Sequence, residues 1–435
     1  SLTGTPPASE GETKSAQPSL DEQTRRMSEQ AATSETRLAE LKAQLAQAPK
    51  EITEAQRELA KLKASPDEDP AKRYASQSVE ALEQRLSARV EELSEWQKQF
   101  SAANSMIISA QTRPERAQAQ IGTAQTRIQE INNLLKGGRE SGKPLSEERR
   151  ALLEAEIASL GAQIELRRQE LAGNSLLQDL GKARRDLLAE RIARAEQDTQ
   201  ALQGLINEKR RAESEQTVAE FSARVQQAGS DKLLAAESAE NLKLSDYLLR
   251  ATERLNRLNQ QNLQTRQQLD TLNQTDQALE EQIAVLEGSL LLSRILYQQK
   301  QALPSLQLDK DLADEIADIR LYQFELNQRR EAAGNAAAYV DQLLAEQKEE
   351  EVTPELRRTL LDLATTRSEL LDRLNRELDA LLNASITLQL NQKQLQDTAS
   401  ALSNTLDEQM FWIPSNKPLD FDWLQGSVRR LKAQL

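Results

Sequence analysis

Residues 248–290 read LLRATERLNRLNQQNLQTRQQLDTLNQTDQALEEQIAVLEGSL, and the placing of their apolar side chains decides the fold class. Leu248, Ala251, Leu255, Leu258, Leu269, Leu272, Leu279, Ile283, Leu286 and Leu290 keep to one seam whose steps alternate between three and four residues. That is the a/d pattern of a coiled coil, in which a thin apolar stripe is enough to hold one helix against another. Asn262, Thr265 and Asp276 are polar members of the same seam. A polar seam residue either fixes the register or marks the place where the partner helix departs. Departure is the preferred reading, because two or three enclosed polar groups cost stability. The helix is expected to start at the break Gly229-Ser230-Asp231, with Ser230 or Asp231 as its N-cap, and to end before Pro304. At 1.5 Å per residue, residues 231–302 would span roughly 105 Å.

The same period extends outward in both directions. Leu38, Leu41, Leu45, Ala48, Ile52, Ala55, Leu59 and Leu62 form a strict stripe that passes Pro49, where a kink is expected, and ends at Ser65-Pro66. Further stripes run from Val79 to Ile107, stopping before Arg113-Pro114, and from Ile121 to Leu135. Lys136-Gly137-Gly138-Arg139-Glu140-Ser141-Gly142-Lys143-Pro144 is a loop, and Leu153 to Leu171 is the next stripe, with Gly173-Asn174 as its stop. Residues 175–228 are helical with weaker patterning. Leu312, Ile316, Ile319 and Leu326 lead toward Glu349-Glu350-Glu351. Thr353-Pro354-Glu355 then combines an N-cap, a first-turn proline and a first-turn acid, and it opens a helix carrying Leu356, Leu360, Leu363, Leu370, Leu374, Leu381, Leu388, Leu395 and Leu402. No segment alternates with the period of a strand.

The predicted fold is therefore all-α, built of elongated helical hairpins in a coiled-coil bundle, with no β-sheet. Its expected organisation is a disordered tail at 1–20, helical hairpins at 21–136, a long-helix coiled-coil segment at 145–302, a C-terminal helical segment at 309–410, and an aromatic, proline-bounded junction at 411–435 that opens a further helix.

Composition narrows the chemistry. The 435 residues include no Cys and no His, so a Ser-His-Asp or Cys-His nucleophile, an imidazole proton shuttle and the usual zinc, haem or iron–sulfur ligand sets are excluded. A net charge of −13 argues against a nucleic-acid partner, since phosphate backbones select basic surfaces. Only 13 side chains are aromatic (5 Phe, 5 Tyr and 3 Trp), too few for one thick core. The most apolar run, Leu290 to Tyr297, is far below the ~20 residues that cross a bilayer. The chain begins at Ser1 without an initiator Met or a leader and reads as a processed piece.

Individual motifs take their plain readings. Gly137-Gly138-Arg139-Glu140-Ser141-Gly142-Lys143 satisfies G-x-x-x-x-G-K, but Pro144 stands where a phosphate-binding loop needs Ser or Thr, and a helix rather than a strand precedes it. Asp67-Glu68-Asp69 and Glu349-Glu350-Glu351 lack the spacing of a calcium loop and read as solvated surface. Between Asn256 and Gln282, 12 residues are Asn or Gln, a wet helix face. Catalytic, cofactor-binding and metal residues are all expected to be absent. The candidate site is the junction formed by Phe411, Trp412, Pro414, Pro418, Phe421 and Trp423, which holds four of the 13 aromatics. Its tryptophans fit either anchors of a small core or an interfacial belt beside a bilayer.

Residues 281–299 (EQIAVLEGSLLLSRILYQQ), then Ile316-Ala317-Asp318-Ile319-Arg320-Leu321, resemble the large periplasmic region of MscK-type, potassium-dependent mechanosensitive channels of the MscS superfamily. The segment 411–420 (FWIPSNKPLD) resembles the same family's approach to its first membrane helices. The resemblance spans most of the chain from about residue 30. It implies a non-catalytic periplasmic domain of a tension-gated channel acting in osmotic stress, attached to the bacterial inner membrane through the membrane-spanning remainder of its own chain. It also implies a heptameric assembly and contacts with the cell envelope, but it carries over no conducting residue and no potassium site. Two other classes remain open at this point: a coiled-coil envelope tether or secretion adaptor, and an enzyme or ligand-binding module, which needs a pocket lined by converging polar groups.

Overall fold

The computed structural model describes residues 18–66, 68–306, 308–347 and 352–412. Its elements in chain order are α1 (Leu20–Ala64), α2 (Pro70–Tyr74), α3 (Val79–Gly137), β1 (Arg139–Glu140), β2 (Lys143–Pro144), α4 (Glu147–Gln227), α5 (Lys232–Leu286), α6 (Leu290–Ala302), α7 (Leu312–Ala333), α8 (Ala336–Glu346) and α9 (Pro354–Phe411). The expected all-helical fold holds. Among the described residues its one departure is a two-residue antiparallel ladder, in which Arg139 pairs with Pro144 and Glu140 with Lys143. Ser141 (φ 50°) and Gly142 (φ 78°) turn the chain tightly enough to bring those backbones into register.

The chain divides into two compact units. Among the described residues, one comprises those up to 61 together with 103–187, the other 62–102 together with those from 188 onward. In the first unit α1 lies parallel to α4: Leu45 faces Gly173, and the Arg184 guanidinium meets the Glu51 carboxylate at 2.8 Å. α3 lies antiparallel to α4, tied by Arg127 to Glu156 and by Arg113 to Asn174.

Two expected helix ends in this unit are not ends. α4 continues through Gly173 because the glycine is a contact point: a Cβ built there would overlap the methyls of Leu45. The absent side chain lets α1 approach. α3 continues through Pro114, whose missing N–H leaves the carbonyl four residues earlier, that of the buried Ala110, without its helical donor. Asn174 Nδ2 donates to that carbonyl at 2.9 Å, and Asn174 Oδ1 accepts from Arg113 at 3.1 Å. The pair expected to stop one helix thus repairs the proline of another.

In the second unit α4 and α5 form an antiparallel pair, joined at Asn207–Asn256 and Ser214–Thr252. Gly229 (φ 61°) makes the turn, and of the two cap candidates, Ser230 and Asp231, it is Asp231 that caps α5, accepting from the amides of Leu233 and Leu234. The expected helix over 231–302 is broken once. Gly288 (φ 81°) separates α5 from α6, and Ser289 caps the restart by accepting from the Leu291 amide. The break resets the helical phase, so Leu292 and Leu296 are buried while Leu290, expected in the seam, is 91% exposed. Asn335 caps α8 in the same way and ends the run that was expected to continue from Leu312. α9 begins at the expected cap, Thr353 accepting from the Leu356 amide, and every leucine of its predicted stripe is buried.

α7 runs antiparallel to both α5 and α9, as the pairs Arg254–Glu315, Arg329–Glu240, Gln323–Asp379 and Arg330–Asp372 require. α4 is also antiparallel to α9, through Arg373–Thr217 and Arg224–Thr366. α5 and α9 are parallel. Around them Phe221, Leu248, Leu255, Leu258, Leu312, Ile319, Leu326, Leu374, Leu381 and Leu388 close one apolar core.

Candidate functional site

α9 organises the second unit: α5, α6, α7 and α8 all pack on it. Three features of its length bear on what it can do, namely a register lock, two charged layers and an exposed aromatic end.

The lock is a pair of asparagines on α5. Asn241 Nδ2 donates to the Leu363 carbonyl at 3.2 Å, and Asn262 Nδ2 donates to the Ala384 carbonyl at 3.0 Å. Both bonds span 122 residues, and the two asparagines lie three heptads apart on the same seam position. α9 therefore has not departed at Asn262, contrary to the expectation for that position, and the polar residue serves register instead. A parallel pair of leucine stripes offers near-equivalent packings one heptad apart, and two amides aimed at particular carbonyls select one. Asp276, the third expected polar member, lies exposed and off the seam.

The first charged layer centres on Arg367, 7% exposed. Its Nε donates to Asn241 Oδ1 at 2.8 Å, Nη1 to the Tyr339 hydroxyl at 2.9 Å, and Nη2 to the Glu237 carbonyl at 3.0 Å, while Nη2 stands 2.6 Å from Glu237 Oε2. Tyr339 reaches the same carboxylate at 3.1 Å. Burial pushes its phenol pKa up; Arg367 opposes this and Glu237 adds to it. One guanidinium thus ties α5, α8 and α9 with its polar atoms paired, the condition under which a buried charge is tolerated.

The second layer lies ten residues further along α9. Glu377 Oε1 accepts from Thr252 Oγ1 at 3.0 Å, and Thr252 meets Ser214 Oγ at 2.8 Å, so one chain of bonds links α9, α5 and α4. Burial raises the Glu377 pKa; the Thr252 bond, Arg210 and Arg373 oppose the rise, and Glu213 adds to it. Sequence reading passed over both layers, although a signal was present. Arg367 and Glu377 occupy a/d positions between the leucines, where a charge has no plain reason to be.

At its end α9 ties α6 through the Lys300–Asp407 ion pair and then presents Phe411 and Trp412, 80% and 71% exposed. The two rings meet edge to face at 5.7 Å, and the Trp412 amide donates to the Glu408 carbonyl at 3.3 Å. Pro414, Pro418, Phe421 and Trp423 lie outside the described residues.

No helix among the described residues is long and apolar enough to cross a membrane, and no ligating cluster of Asp or Glu occurs among them. A groove of about 430 Å³ between α3 and α4 in the first unit has an apolar floor of Ile121, Ala124, Leu160 and Ile164. Its arginines, Arg127 and Arg167, are spent in ion pairs with Glu156 and Glu170.

Residues 5–236 match the family described as the mechanosensitive ion channel porin domain. The match begins upstream of residue 30, where the resemblance in the sequence was placed. The chain is 38% identical over 371 residues to the mechanosensitive channel MscK of Escherichia coli (strain K12), covering 84% of this chain and 33% of that protein. It is 31% identical over 359 residues to an MscS family protein of Haemophilus influenzae, covering 82% and 32%, and 26% identical over 314 residues to the miniconductance mechanosensitive channel MscM of E. coli, covering 71% and 28%. The chain spans about a third of the length of these relatives.

Proposed function

Because this chain belongs to the mechanosensitive ion channel porin-domain family, in its MscK-type branch, we propose that it is the periplasmic part of a tension-gated channel of the small-conductance mechanosensitive type. In this reading it is a non-catalytic mechanical element, attached to the bacterial inner membrane through the membrane-spanning remainder of its own chain, which assembles as a heptamer. It restrains or regulates that remainder during osmotic stress and contacts the cell envelope. The potassium in the name of the family's branch has no assigned site in this chain.

The single observation that carries the reading is the construction of α9. One helix is packed on by four others, held in register by Asn241 and Asn262, clamped by Arg367, and ended by an exposed aromatic pair. A helix fixed against sliding transmits displacement along its axis, because a shift by one heptad must break both amide bonds and the clamp together. Phe411 and Trp412, with Pro414, Pro418, Phe421 and Trp423 after them, form the membrane-proximal junction, the place where amphipathic aromatic side chains belong.

The experiment is patch-clamp recording of the full-length parent channel in spheroplasts, comparing the intact chain with one lacking residues 30–405. The expected result is a changed tension threshold or adaptation. Unchanged threshold, adaptation and ionic sensitivity would overturn the regulatory role.

A further inference from the structure

We propose that the outer face of α7 is a one-heptad coiled-coil seam through which two parallel copies of this chain associate. α7 carries two apolar stripes. Leu312, Ile316, Ile319 and Leu326 are buried, and Leu312, Ile319 and Leu326 join the core formed with α5 and α9. At 100° per residue, Leu321 and Phe324 fall on the opposite side, and they are 60% and 63% exposed. Ala317 and Gln328, both exposed, continue the same line. In heptad terms Ala317 and Phe324 take d positions, and Leu321 and Gln328 take a positions.

Charge selects the occupant. Arg320 and Glu325 flank the stripe on its two sides, at g and at the following e, five residues apart. Both are exposed, and neither has an ion-pair partner among the described residues. Other charges of α7 are used within the chain: Glu315 with Arg254, Arg329 with Glu240, and Arg330 with Asp372. In a parallel pair of identical helices, the g residue of one faces the e residue five positions on in the other. Arg320 of each copy thus meets Glu325 of the other, giving two ion pairs across a self-complementary contact. An antiparallel pair would set like flank against like flank and leave the match unmade. Asp314 and Glu331 occupy the next a and d positions and confine the seam to one heptad. The contact is therefore weak and two-fold: it joins single copies of two neighbouring assemblies oriented alike, not successive copies around a seven-fold axis, and it stands whether or not the channel reading holds.

The absence of cysteine makes the test direct. Ala317→Cys places a thiol at a d position that faces its own copy only in a parallel, in-register pair, and it leaves Leu321 and Phe324 intact. Glu369→Cys, at an exposed site on α9, is the control. Under a mild oxidant the A317C chain should dimerise faster than the control. Adding R320E should slow cross-linking by roughly fivefold, because two attractions become two repulsions, and R320E/E325R together should restore it. Circular dichroism of each variant checks that the helices persist. Cross-linking of A317C no faster than the control, or a rate indifferent to the charge swap, would overturn the proposal.

Discussion

Replacing Asn174 isolates one atom of the first unit. The Ala110 carbonyl is buried, Pro114 offers it no N–H, and Asn174 Nδ2 donates to it from α4 at 2.9 Å. Asn174→Ala leaves that acceptor orphaned, at a cost of about 1–3 kcal/mol. It also removes the Arg113 bond, a further ~0.5–1.5 kcal/mol. Pro114→Ala restores a backbone N–H four residues beyond Ala110 and by itself relieves the ring's clash with that carbonyl, so it should stabilise α3. In that background the new amide at position 114 serves the carbonyl, and removing Asn174 costs only the Arg113 bond. A double-mutant cycle should then return a coupling of about 1–3 kcal/mol, above the ~0.3–0.5 kcal/mol within which independent sites add. Urea unfolding followed by circular dichroism measures it, and thermal unfolding should move by about 2–4 °C per kcal/mol. If Asn174→Ala costs the same in both backgrounds, the repair of the proline is not what Asn174 does.

Arg367→Met should destabilise the second unit by about 3–5 kcal/mol in urea titration, because the half-buried Glu237 carboxylate loses its cation and keeps only the Tyr339 hydroxyl as a donor, whereas E237Q/R367M should cost far less. Asn241 and Asn262 should respond oppositely to leucine, read as unfolding midpoints. Asn241 has both amide atoms paired and should lose stability on substitution, whereas Asn262 Oδ1 is buried without a partner, so its replacement should be neutral or stabilising while loosening the register. Gly181→Ala should destabilise, since its Cβ would stand 2.9 Å from Ile107 Cγ1 and 3.3 Å from the Ala103 carbonyl oxygen; Gly204→Ala, with open space, should gain about 0.5–1 kcal/mol in the same titration. Glu377 binds its proton more tightly folded than unfolded, so its contribution to stability falls as pH rises from the ordinary glutamate range through its raised folded value. Glu377→Gln should therefore flatten the fall in midpoint across that window and change little below it. An unaltered pH profile would place the dependence on other groups.

The heptad made the helices legible. The Thr353 cap fell where a short polar side chain and a first-turn proline put it, Asp231 took the cap for which Ser230 and Asp231 were both candidates, and the leucines of the predicted α9 stripe all proved buried. Gly173 and Pro114 were read as stops because intrinsic propensity counts only neighbours in sequence, while the Leu45 methyls that need the glycine and the Asn174 amide that satisfies the proline's orphan come from distant segments. Leu290 was misplaced for a related reason, since a single residue with positive φ at Gly288 resets the phase of everything after it.

The candidate site was legible only at its end. Phe411 and Trp412 stood out by composition, whereas Arg367 and Glu377 were charges in a seam whose partners lie more than a hundred residues away on α5. What the sequence by itself determined was helix, period and apolar face, because these follow from side-chain spacing along one axis. Which helices run parallel, which register of α5 and α9 is chosen, and which polar groups are buried with partners were decided by tertiary structure. Stripes of leucine fit one another in many offsets, and only directional bonds from particular amides and guanidinium groups separate those offsets in energy.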